Sequence, residues 1–112
     1  MSNDTDRELL ELAAKAAGYE VDRQASEYIW QELRQLALLN LQGGHTLWNP
    51  LTDDGDALRL MVDVRIDLIQ FGNFARAEIS GMSDVHEKHN GDPLAVTRRA
   101  IVRAAAELGR TL

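Results

Sequence analysis

Apolar and polar positions alternate along this chain with two periods, and each change of period marks a new element. Leu9, Leu12, Ala13, Ala16 and Ala17 recur at helical spacing, which predicts a first amphipathic helix with a narrow apolar stripe. Asp4 or Thr5 is placed to cap it, and Thr5 with Glu8 has the spacing of a capping box. Gly18 stands where a left-handed residue closes a helix. Tyr19 to Gln35 is less regular. Ser26 followed by Ile29 and Leu33 on one face favours a short helix, whereas Val21 offers the start of a short strand. Leu36 to Leu41 and His45 to Trp48, separated by Gly43-Gly44, read as the two strands of a hairpin.

Asn49-Pro50 ends that hairpin, because a proline holds the residue before it extended. Thr52 or Asp53 then caps a helix whose apolar face is Ala57, Leu58, Met61 and Val62. From Val62 the period becomes two, with Val62, Val64, Ile66 and Leu68 alternating with Asp63, Arg65 and Asp67. The changeover from helix to strand lies between Met61 and Arg65. Phe71-Gly72-Asn73-Phe74 reads as a turn, and Ala75, Ala77 and Ile79 carry a returning strand. Gly81 to Gly91 is polar and reads as an exposed loop. Asp92-Pro93 opens a last helix with Leu94, Ile101, Ala104, Ala105 and Leu108 as its buried stripe and Gly109 at its end. Taken together, the pattern predicts an α+β fold over residues 1–112 as one domain. Three helices would pack on a small antiparallel or mixed sheet of three to five strands, in α-β-α layers.

Composition narrows the classes of function. A chain of 112 residues that is 45% apolar supports one modest core, so a deep enclosed site is hard to build and a surface groove is easier. The net charge of −6 opposes general nucleic-acid binding, which needs clustered Lys and Arg. There is no cysteine, which removes disulfides and thiolate metal sites. No run approaches the roughly 18 apolar residues of a membrane span. These features point to a protein of the cytoplasm without a membrane partner.

The candidate chemistry is sparse. Asp53, Asp54 and Asp56 offer carboxylates for a divalent cation, but their spacing departs from a calcium loop and suits acids at a helix N-terminus. His86 and His89 form the other candidate metal pair, with Asp84, Glu87 or His45 as further ligands. Arg99 and Arg103 share a face of the last helix and offer contacts to phosphate or an acidic partner; a solvated outer face is the plainer reading. Trp30 suits an interface or the core equally, and Trp48 suits the core. There is no nucleophile elbow, P-loop or dinucleotide fingerprint, and no cofactor is indicated.

The segment Trp48-Asn49-Pro50-Leu51-Thr52-Asp53-Asp54-Gly55-Asp56-Ala57-Leu58-Arg59-Leu60 resembles small proteins encoded by tailed phages and prophages of proteobacteria. Arg7 to Gly18 fits the same pattern. So do Asp92-Pro93 and Arg98-Arg99-Ala100-Ile101-Val102-Arg103-Ala104-Ala105-Ala106-Glu107-Leu108-Gly109. The order of elements is similar to that of phage α-β-α sandwich proteins. The resemblance implies a phage origin and expression inside the infected bacterium, and it carries over no activity or site residue. The expected function is that of a non-catalytic accessory protein acting on a host or phage protein. A homodimer is compatible with so small a sheet. A small metal-dependent enzyme and a nucleic-acid binder using the last-helix arginines stand as alternatives.

Overall fold

A computed structural model describes residues 5–112. Among these the elements are helix α1 (Asp6–Ala17), α2 (Arg23–Leu33), strands β1 (Leu36–Leu39) and β2 (His45–Trp48), α3 (Asp54–Val64), strands β3 (Asp67–Gln70), β4 (Phe74–Glu78) and β5 (Val85–Lys88), and α4 (Pro93–Arg110). The fold is α+β. It has four helices where three were expected, because the ambiguous stretch before β1 is helical: Asp22 caps α2 by accepting the Ala25 N–H. The strands also divide into two antiparallel sheets, β1-β2 and β3-β4-β5, instead of forming one. The second sheet gains its third strand from the polar stretch read as an exposed loop. In that stretch Val85 is buried opposite Ala77 while His86 and Lys88 face solvent, and one apolar residue in a short strand is too weak a periodic signal to read.

Capping follows local chemistry closely. The Thr5 hydroxyl accepts the Glu8 N–H at the start of α1, while the alternative cap Asp4 lies outside the described residues. Gly18 closes α1 at φ 77°. Asp53 caps α3 and Asp92 caps α4, with Pro93 just inside the helix. The helix-to-strand changeover falls at the end of the expected interval. Arg65, left-handed at φ 65°, ends α3, so Val62 and Val64 belong to the helix and the apparent alternation through them is accidental.

Helix α4 is the centre of the molecule, packing on α1, α3, β4 and β5. Its contact with α1 is unusually close. Arg99 pairs with Asp6, Gly109 lies on Leu12, and Lys15 donates to the carbonyl of Leu112, so the two helices run side by side in the same direction. Ala13 and Ala14 of α1 and Ala100, Ala105 and Ala106 of α4 are buried; small side chains let the backbones approach. Gly109 does not end the helix. It lies inside α4, where a Cβ would sit 2.1 Å from the Leu12 carbonyl oxygen. Ala75 and Ala77 on β4 are likewise fully buried and give α4 room on the sheet. Leu10, Leu36, Leu60 and Val102 fill the remaining core, each stabilising the fold by about 1.5–3 kcal/mol.

The Gly109→Ala substitution should therefore cost about 2–3 kcal/mol by forcing α1 and α4 apart. Gly55→Ala, whose Cβ would meet only the movable ends of Arg59 and Asp53, should shift stability far less. Urea unfolding of both variants checks the contrast.

Candidate functional site

The segment joining β2 to α3 holds the densest set of buried polar groups. Trp48, Asn49 and Asp56 are buried, and Pro50 is fully so. The Asn49 N–H donates to Asp56 Oδ2 at 2.9 Å, its side-chain N–H donates to the Arg34 carbonyl at 2.6 Å, and its Oδ1 accepts the Leu51 N–H at 2.8 Å. Asn49 thus ties the end of α2 to the start of α3. The other Asp56 oxygen accepts from Arg59 at 2.8 Å. Asp53 accepts the Asp56 N–H, and Asp54 pairs with Arg98 at 2.7 Å. Arg98 also donates to the Leu51 carbonyl. The three acids therefore point at three different tasks: Asp53 caps α3, Asp56 holds the Asn49 N–H and Arg59, and Asp54 pairs with Arg98 through Oδ1.

The histidines do not converge either. Three positions apart along an extended chain, His86 and His89 turn to opposite sides. The His86 ring stacks on Phe74 at 5.3 Å, Phe74 stacks on Phe71 at 4.4 Å, and the Arg76 guanidinium caps Phe71 at 5.7 Å. This closed stack covers the face of the three-stranded sheet that looks away from α4. The His89 N–H donates to the Asn73 carbonyl, and its Nε2 is buried without a partner among the described residues. His45 bonds Asp22 at 2.8 Å. Among the described residues no three His, Asp or Glu side chains gather as a cation site.

The arginines of α4 are braces. Arg99 reaches Asp6 on α1 at 3.0 Å, Arg103 pairs with Glu87 on β5, and Arg98 holds the start of α3. Glu87 sits beside Ala75 on the face of the sheet that α4 covers, which brings it within reach of Arg103. A phosphate would have to displace these carboxylates. Trp30 is half-buried against the core, with Arg34 over its ring at 5.8 Å.

Two polar features escaped the sequence pattern. Ser26 is buried, and its hydroxyl accepts the Ala37 N–H at 2.9 Å, so α2 is tied to the edge of β1 by a side chain acting as a strand partner. Tyr19 packs edge-on against Trp48 at 5.7 Å and donates its hydroxyl to Asp63. Partial burial, and then the Asp63 carboxylate, raise the Tyr19 hydroxyl above its ordinary value. The Asp22 carboxyl is held below the usual carboxylate range, first by the Ala25 N–H and then by His45.

Comparison with protein families, with curated proteins and with solved structures gives no match. No described helix is long and apolar enough to cross a membrane.

Removing the Asp56 carboxylate should be costly, because it strands the buried Asn49 N–H. Asp56→Ala is expected to lose about 2–3 kcal/mol, measured by denaturant unfolding, with Asp54→Ala losing less. Acid should also weaken the fold through Asp22. Its native value is depressed, so the unfolded chain takes up the proton first as pH falls. Its stabilisation is then complete above the unfolded value, about 3.9, and is lost as pH drops through the lower native value. Asp22→Asn should flatten the fall in unfolding free energy across that window.

Proposed function

We propose that this is a non-catalytic accessory protein of phage type that works inside the infected cell by binding another protein. One observation carries the reading: the acids and arginines that could do chemistry, Asp53, Asp54, Asp56, Arg98, Arg99 and Arg103, are engaged within the molecule, while large apolar side chains are left on its surface. In the α2 and β1-β2 region Tyr28 is 75% exposed, Leu33 is 57% exposed, and Leu41 at the hairpin tip is fully exposed. Single exposed apolar residues are ordinary. Tyr28 and Leu33 lie on different sides of α2 and Leu41 lies on the hairpin tip; exposed aromatic and aliphatic side chains of this kind are the anchors that dominate binding at interfaces.

The phage assignment rests on the resemblance of the Trp48–Leu60 and Arg98–Gly109 segments. The metal-enzyme alternative needs Asp53, Asp54 and Asp56 to release their present partners, or His86 and His89 to turn to the same side of the chain. The nucleic-acid alternative needs Arg99 and Arg103 to do the same. Neither has an observation in its favour.

Affinity capture from bacterial lysate treated with nuclease and chelator should recover a reproducible protein partner. The Tyr28→Asp/Leu41→Asp variant should lose that partner while keeping its circular dichroism spectrum. Capture of protein only when nuclease is omitted, or only when chelator is omitted, would overturn the proposal.

A further inference from the structure

Helix α3 turns Ala57, Leu60 and Val64 into the core. Its outer side carries a different stripe: Asp54, Leu58 and Val62 recur at four-residue spacing and so lie along one face, and Arg65, the left-handed residue that closes the helix, follows just beyond its end. All four are exposed. Leu58 and Val62 are 57% and 63% exposed, and Leu94 of α4 is 63% exposed. Leu58, Met61, Leu68 and Leu94 line a mainly apolar groove of about 280 Å³ between α3 and α4, with Asp54 at one end.

The charges at the ends of this stripe are incompletely used. Arg98 occupies Asp54 Oδ1, whereas Oδ2 has no partner among the described residues. Arg65 makes no side-chain hydrogen bond or ion pair among them. Arg65 also occupies a left-handed position that glycine fills at least strain. The other such residue, Arg34, lays its guanidinium over Trp30.

The stripe reads acid, apolar, apolar, base, and this order is self-complementary when reversed. In an antiparallel pair about a two-fold axis, Asp54 of each copy meets Arg65 of the other, and Leu58 meets Met61 or Val62. We propose that the protein pairs with a second copy of itself through antiparallel α3 helices, with Leu94 filling the margin of the contact. Two-fold symmetry makes both ends equivalent, so each dimer has two Asp54–Arg65 pairs. Such a contact is small beside the roughly 800 Å² per partner of a standard interface, which makes the dimer weak and concentration-dependent.

Sedimentation velocity on the purified full chain, from micromolar to millimolar concentration, should show reversible dimerisation that weakens with added salt. Arg65→Glu should weaken it by about tenfold or more, by placing acid against acid. The double exchange Asp54→Arg/Arg65→Glu should restore most of that loss, and Leu58→Asp/Val62→Asp should abolish association. Because Asp54→Arg also removes a bond to Arg98, a second measurement stands apart from folding. In a mixed sample of labelled and unlabelled wild-type protein, isotope-filtered NMR should detect contacts between the Leu58 and Val62 methyl groups of different copies. A chain that stays monomeric at millimolar concentration overturns the proposal. So does a dimer without those methyl contacts, or one indifferent to Arg65→Glu and Leu58→Asp/Val62→Asp.

Discussion

The architecture depends on how near α4 can come to α1. With Gly109 lying directly on the Leu12 carbonyl, and alanines lining both helices, the separation is set by backbone against backbone. That short distance fixes where the other faces of α4 can lie. Ala75 and Ala77 repeat the arrangement on the sheet side, so a helix of 18 residues is enclosed by elements carrying little side-chain bulk. Small residues lose less rotamer entropy on burial than large ones, which suits a chain this short. The drawback is intolerance, since a close-packed contact of this kind cannot absorb an extra methyl group.

Polar chemistry has been turned to the same end. Asn49 and Asp56 join the end of α2, the end of β2 and α3 through two hydrogen bonds, and the α4 arginines reach three different elements. In a core too small to hold the chain by apolar burial alone, satisfied polar links supply specificity of arrangement. The acids near Asp53 suit a helix N-terminus in the sequence and act as a cap and as ion-pair partners in the structure. What is left for recognition is the apolar surface and the few charges without internal partners.

Local signals predicted local structure well. Thr5, Gly18, Asp53, Asp92 and Pro93 act where their chemistry placed them, because caps are decided by residues a few positions apart. The α+β class and the β1-β2 hairpin were legible for the same reason. The rest depended on contacts between distant residues. Ile29 and Leu33 favour a helix over a strand for α2, but it buries only Ser26 and is fastened to β1 by hydrogen bonds, so its apolar pattern is weak and it falls outside the expected count of helices. Strand β5 shows one buried residue in four. Arg65 looks like any polar position in an alternating run, although its backbone is what ends α3. The arginines of α4 were readable as one face, but their partners Asp6, Asp54 and Glu87 are scattered along the chain, and no spacing rule links them.

The pairing of the first helix with the last also governs the order of events in folding. Asp6 and Arg99 are 93 residues apart, and Lys15 and Leu112 are 97 apart. Closing so long a loop carries an entropic cost that only later contacts repay. During synthesis α1 must wait for almost all of the described chain to emerge. Until then Leu9, Leu10, Ala13 and Ala14 have no permanent cover, although the β1-β2 hairpin can already form. The nascent chain therefore presents an amphipathic helix without its partner until α4 has been made, and chaperone binding or premature association competes with folding in that interval.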